Sequence, residues 1–322
     1  MKRIIACLCT IVVFTGCKSI DSNYQPNVSF FVQRIDVSIP IESRIQDTPA
    51  QVISWLNNMD STDTYTSHAL TEEETLLFSS YAQLLPEKLK KVIAEKVIAV
   101  YFIDNFSGGG MTCRAFDNNG NLYMTLFFNP EILHRTMADW LNFRENSYFT
   151  DDAPDVSITV ECTENYFALL HTLFHEASHV YDFYYHMTPY TEPYFRNDAS
   201  DIKSDFAAMV WHDYNIPVAE YDFPCRNELY SYGLGPAHRR DAAFDIYASL
   251  AKTPFPTIYA SSNWAEDFAE SFTWFYLGVY FDCYYRVRIS KNGEGKQETL
   301  LHEPHMNRLF TDRFALFRDI TR

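Results

Sequence analysis

The residues best suited to chemistry are His175, Glu176 and His179, in the run His175-Glu176-Ala177-Ser178-His179. Two residues four apart share one face of a helix, so both imidazoles can reach a single ion. Glu176 stands about 100° round the helix from His175, close enough to reach a metal-bound water. Two imidazoles with one carboxylate suit Zn²⁺ and leave its fourth position for water. Such an ion lowers the pKa of that water towards about 7, and the neighbouring carboxylate takes its proton during attack on a carbonyl. At this composition the HExxH pattern arises by chance only about 0.02 times per chain. Phe167, Leu170, Phe174 and Val180 give the surrounding segment a helical apolar stripe. The superficially similar His302-Glu303-Pro304-His305 has the wrong spacing and a proline, and is a decoy.

The third metal ligand has to come from elsewhere. A continuation of the HExxHxxGxxH kind requires Gly at 182 and His at 185, where this chain has Asp182 and Tyr185. His186, seven residues past His179, lies about 10 Å further along a straight helix. A carboxylate on a second helix is therefore expected. Tyr259 and the stretch Ala265-Glu266-Asp267-Phe268-Ala269-Glu270 supply the candidates. Together with His175, Glu176, His179 and Asp182, this pattern resembles the lethal-factor-like and Mlc-titration-factor-like zinc metallopeptidases, a branch of the glutamate zincins. The resemblance covers about 175–182 and 259–275, and Asp267 departs from it by replacing an aromatic residue. It implies one Zn²⁺ held by His175, His179 and Glu266, Glu176 as general base, and Tyr259 as hydrogen-bond donor to the oxyanion.

The residues themselves point the same way. Glu266 and Glu270 are one helical turn apart, and like charges at that spacing destabilise a helix unless a cation faces them. A zinc ion and a metal-bound histidine would fill that need, with Glu266 as ligand and Glu270 orienting a ligand histidine. Asp182 is a further candidate for that supporting role. Trp211-His212-Asp213 and His238-Arg239-Arg240 are read as structural or surface groups that could wall the cleft. Tyr181, Tyr184, Tyr185, Tyr190 and Tyr194 fit an apolar specificity pocket or plain core packing equally well.

The elements that must position these side chains follow from periodicity and punctuation. Ser29–Ile41 alternates and reads as a strand with Pro40 at its exit. Helices are expected at Thr48–Asn57, at Thr71–Leu85 behind a Thr71 cap, from Pro86 to Ala94, and at Pro130–Asn142, Glu164–Met187 and Asn263–Val279. Lys96–Asp104 reads as a buried strand, and Met111–Phe116 with Leu122–Phe128 as a hairpin around Asn119-Gly120. Tyr284–Leu300 reads as a second hairpin, and 188–258 as irregular with short helices. Ser107-Gly108-Gly109-Gly110 is followed by no helix, so it is read as a flexible loop and not a phosphate cradle.

At the N-terminus, Lys2-Arg3 precede an apolar run from Ile4 to Phe14, the length of a signal-peptide core and too short to span a bilayer. Phe14-Thr15-Gly16-Cys17 resembles a bacterial lipobox, which makes Cys17 the lipidation site and membrane anchor of an exported lipoprotein of the cell envelope. The division expected is 1–16 signal peptide, 17–27 lipidated tether, 28–95 an N-terminal extension, and 96–322 the catalytic domain. Losing Lys2 and Arg3 takes the net charge from −16 to −18, and the acid excess argues against nucleic acid as partner. Of the seven cysteines, Cys113, Cys162, Cys225 and Cys283 then remain, compatible with disulfides or with isolated thiols. At 322 residues and 47% hydrophobic, the chain can bury a sizeable core. The expected fold is α+β and zincin-like, a small mixed sheet over an active-site helix with a mainly helical C-terminal half. The expected function is zinc-dependent hydrolysis of peptide bonds in a peptide or protein substrate. Two rivals are a non-catalytic surface-binding lipoprotein of the same fold and a zinc hydrolase of a cell-wall amide.

Overall fold

A computed structural model describes residues 27–163, 165–189, 204–293 and 296–321. The leader, most of the tether with Cys17, Tyr190 and Tyr194 lie outside the described residues. In chain order the N-terminal part comprises helices α1 (Val28–Phe31) and α2 (Ala50–Asp60), strand β1 (Thr66–His68), and helices α3 (Glu72–Ala82) and α4 (Glu87–Lys96). Strands β2 (Val97–Asp104), β3 (Gly110–Phe116) and β4 (Leu122–Phe128) follow, then α5 (Met137–Ser147), β5 (Val156–Cys162) and α6 (Ala168–Tyr185). The C-terminal part holds α7 (Asp205–Ala208), β6 (Trp211–Asp213), β7 (Ile216–Pro217), α8 (Ala243–Leu250) and α9 (Trp264–Tyr280). It ends with β8 (Tyr285–Gly293), β9 (Lys296–His302), α10 (Arg308–Thr311) and α11 (Phe314–Thr321).

The result is a mixed helix-and-strand architecture with small sheets, compatible with the α+β class. The first sheet runs β1-β2-β4-β3, with β2 and β4 parallel and the outer pairs antiparallel. Its hydrophobic runs, Val97–Ile103 and Met124–Phe128, are buried because helices cover one face and the N-terminal segment the other. The second sheet, β5-β8-β9, is antiparallel and places strands in a half expected to be mainly helical. The segment 28–95 contributes β1 to the first sheet, and Phe78, Leu89 and Val92 to the core shared with α6 and α9.

Three local readings are corrected. Ser29–Ile41 is not a strand: α1 and an extended run lead to a 3₁₀ turn at Ile41–Arg44. Phe30 and Phe31 both pack on Trp55, with centroids 6.0 and 6.2 Å away. Adjacent residues of a strand point to opposite faces, so a helical turn serves this pair better. The guanidinium of Arg44 takes the carbonyls of Val37, Ile39 and Ala94, which leaves them without need of a strand partner. Pro130–Asn142 is not one helix either. A 3₁₀ turn at Pro130–Leu133 stops, and α5 starts afresh where Thr136 caps the Asp139 amide. Finally, Ser107–Gly110 is no mere flexible link, because Gly109 and Gly110 press against α6.

α6 is the element everything else surrounds. Every residue from Ala168 to Asp182 is buried, so its apolar residues pack on most sides and its polar ones each need a partner. It packs against α4, α5, α9 and β3. Among the described residues no helix is long and apolar enough to cross a membrane.

Candidate metal centre

α6 and α9 lie side by side, and their facing stripes bring His175, His179 and Glu266 together. The Nε2 atoms of the two histidines are 3.2 Å apart, and Glu266 Oε2 lies 3.1 Å from one and 3.3 Å from the other. Those three lengths match the edge of a tetrahedron, about 3.3 Å, around an ion bound at about 2.0–2.1 Å. All three residues are buried, and the group is able to hold a metal ion. Asn263 caps α9 by accepting from the Ala265 and Glu266 amides, which fixes Glu266 in the first turn.

Charge is arranged around that triangle. Burial raises the Glu266 carboxyl, but His179 and His175 outweigh it and hold the group down at about 2. Burial likewise opposes a charged His175, yet its bonds to Glu266 and Glu270 raise it to about 10. The carboxylate and the imidazole thus each favour the charged form of the other.

Glu270 stands one turn beyond Glu266 and accepts from His175 Nδ1 at 3.1 Å. Arg144 on α5 holds it with two bonds of 3.1 Å, one from each terminal nitrogen, and the Thr257 hydroxyl adds a third at 2.7 Å. Burial disfavours its charge, but Arg144 above all keeps the carboxyl well below the carboxylate range. The cation facing the second glutamate of the pair is therefore an arginine that the sequence reading passed over. His171, one turn before His175 and also unremarked in the sequence, completes the surroundings with Nε2 3.2 Å from Glu270 Oε1. An i, i+4, i+8 histidine stripe was the signal that could have found it.

Glu176 points from α6 towards β3. The Thr112 hydroxyl lies 2.7 Å from its Oε2, and Gly110 leaves the room it occupies. A Cβ at Gly110 would stand 2.8 Å from Glu176 Cγ. Burial raises the Glu176 carboxyl, opposed in part by His175, His179 and Thr112.

Tyr259 sits in a 3₁₀ turn, Tyr259–Ser262, just before α9, with its ring 5.7 Å from that of His175 and beneath Arg144. Burial and the nearby Glu266 hold its hydroxyl protonated well above the ordinary tyrosine range. Asp182 is placed differently from the supporting role considered for it. Its two oxygens take the Thr188 amide and hydroxyl at 2.6 and 2.7 Å, closing the loop after α6, while His179 Nδ1 has no hydrogen-bond partner. Burial lifts Asp182 to about 6 against those two bonds.

Asp267, out of pattern in the sequence, has a physical reason. It is fully buried and binds Arg313 at 3.0 and 2.7 Å and the Trp211 indole at 2.9 Å, locking α9 to the C-terminus. Trp211 thus braces α9 from behind, whereas His212 is exposed. His302 and His305 donate to the carbonyls of Pro256 and Trp274, at 2.8 Å each, as befits a decoy. Among the described residues, Cys113, Cys162, Cys225 and Cys283 form no disulfide.

A cleft open to solvent runs over His175 and Glu176 between the glycine loop and a wall that includes Tyr230 and Tyr232. Tyr181 and Tyr185 pack against each other with tilted rings at the far end of α6, centroids 4.5 Å apart, and do not line it. In comparisons with protein-family models, with curated proteins and with solved structures, the chain has no match.

Proposed function

We propose that this chain is a zinc-dependent peptidase of zincin-like fold, carried on a lipid-anchored envelope protein. The observation that carries the reading is the 3.1–3.3 Å triangle of two imidazole nitrogens and a carboxylate oxygen, with a buried glutamate beside it on an open cleft. Two nitrogens and one oxygen are the donor set of a catalytic zinc site, which keeps an open position. Zn²⁺ held by His175, His179 and Glu266 would supply Lewis-acid polarisation of a carbonyl and acidification of water.

The protein's own groups do the rest. Thr112 donates to Oε2 of Glu176 and leaves Oε1 to take a proton from the attacking water. Desolvation has already moved that carboxyl up towards the proton affinity such a base needs. The same Oε1 can then hand the proton to the departing amine nitrogen. Tyr259, kept neutral, offers an O–H to the oxygen that gains charge at the scissile carbonyl. Glu270, held ionised by Arg144, fixes the His175 ring through Nδ1 so that Nε2 faces the centre.

Glu176→Ala tests the reading. Purified variant and parent should bind one zinc each at this centre, while cleavage of a peptide library falls by about 10²–10⁴-fold in the variant. Equal turnover by the two proteins would remove Glu176 from the chemistry and the peptidase reading with it.

A further inference from the structure

A second set of metal-binding side chains stands outside the cleft floor. Ligand atoms of Cys225, Glu228 and His238 all lie within 4.8 Å of one another. Cys225 precedes the 3₁₀ turn Arg226–Glu228 and Glu228 ends it, and both are exposed, so an ion in solution can reach them. Cys225 has φ 64° and ψ −1°, a left-handed conformation that a residue with a Cβ keeps only where its surroundings hold it. His238 Nε2 donates to the Glu228 carbonyl at 3.0 Å, which leaves the lone pair on Nδ1. A histidine whose second nitrogen is tied to a carbonyl is the usual form of a metal ligand.

Both ends of this loop are fastened to the catalytic half. Arg226, buried, donates to the Ser261 carbonyl at 2.6 Å, and Ser261 lies in the turn that begins with Tyr259. At the other end the His238 amide donates to Tyr148, and its carbonyl accepts from Thr150. Between the fastened ends, Leu229, Tyr230, Tyr232 and Leu234 form one wall of the cleft. Gly235 allows the wall to fold on itself, since a Cβ there would stand 2.3 Å from the Tyr230 ring.

We propose that Cys225, Glu228 and His238 form a second metal site, for zinc or a similar borderline-soft divalent ion, which clips the cleft-wall loop shut at its base. Thiolate, imidazole and carboxylate are together a donor set for zinc and not for calcium or magnesium. The inference does not rest on the peptidase reading, because no residue is shared with the His175 centre.

Cobalt(II) titration of the full chain under reducing conditions tests it. The His175 centre contributes no sulfur, and Cys113, Cys162 and Cys283 are buried. With Cys7, Cys9 and Cys17 replaced by serine, two equivalents, one per site, should therefore produce a thiolate-to-cobalt charge-transfer band that Cys225→Ser abolishes. Glu228→Gln should keep the band but weaken cobalt binding by at least about 10–100-fold, the range seen when even an indirect partner is lost. In His179→Ala the band should persist, which separates failure of this site from failure of the other. Hydrogen exchange across 229–234 should slow when the ion binds. A band that survives Cys225→Ser, or no band in the parent chain at one equivalent per site, would overturn the site. Unchanged exchange with the band present would overturn the clip.

Discussion

Glu266 and Glu270 sit one turn apart on α9 and face different cations, which separates their work. Glu266 meets the two histidines at 3.1 and 3.3 Å, while Glu270 meets Arg144 twice at 3.1 Å and His175 from behind. Glu266→Gln should therefore cost more than about 100-fold in zinc affinity, and Glu270→Gln only about 10–100-fold, the range for partners that orient a ligand. Competition with a chelator of known affinity measures both, and the reverse order would exchange the two roles. Arg144 is the residue that makes this division workable. It is buried and shared between Glu145 at 3.1 Å and Glu270, with Tyr247 donating to the far side of Glu145. Without it, Glu145 would lie in the core with no cation beside it, and Glu270 would keep only the histidines of α6.

At the level of elements, the glycine loop and α6 form one unit. Gly110→Ala would bring a methyl group into the space of Glu176 Cγ at 2.8 Å, so either the carboxylate or β3 must move. The expected outcome is zinc binding within about threefold of the parent and hydrolysis reduced by 10-fold or more, since a misplaced base costs about that much or more. Parent-like turnover would show that the loop adapts. Further from the site, α3 begins with a capping box. The Thr71 hydroxyl accepts the Glu74 amide at 3.2 Å, and Glu74 accepts the Thr71 amide at 2.7 Å. Burial raises the Glu74 carboxyl, but the bonds from Thr71 and His134 outweigh it and hold it below the usual range. A carboxyl lowered by folding contributes its stability above its unfolded pKa and loses it as pH falls through the folded value. Unfolding midpoints measured down from pH 6 should thus show an acid slope that Glu74→Gln flattens, together with a loss of about 1 kcal/mol at neutral pH from the broken cap.

Across the whole molecule, a number of the acids that the net charge of −16 presents as surplus turn out to be buried and partnered. Glu145, Glu176, Asp182, Glu266, Asp267 and Glu270 are all buried, and each has a named partner. The centre is already paired through Glu266 and His175, so removing the ion should leave the helices intact and lower stability without unfolding the chain. An ion that binds only the folded state adds about 4 kcal/mol when free metal is a thousandfold above its dissociation constant. Calorimetry with and without a chelator should record that fall in unfolding temperature with an unchanged far-ultraviolet spectrum. No shift would mean that nothing binds tightly at the triangle.

Much of the local structure was legible in the sequence because local rules decide it. The cap at Thr71, the turn at Asn119-Gly120, the buried run from Val97 and the four-residue spacing of His175 and His179 each follow from a few neighbouring residues. What the tertiary structure alone decided are pairings between distant segments. Arg144 against Glu270, Thr112 against Glu176, Arg313 against Asp267 and His238 beside Cys225 leave no periodic trace, because none of these partners shares an element. Ser29–Ile41 shows the converse. Its alternation suits a strand, but Phe30 and Phe31 had to meet one tryptophan, and Arg44 met the carbonyls a sheet would have paired. Spacing along the chain determined which side chains could reach one ion. Packing of α5, α6, α9 and β3 determined which charges stand behind them.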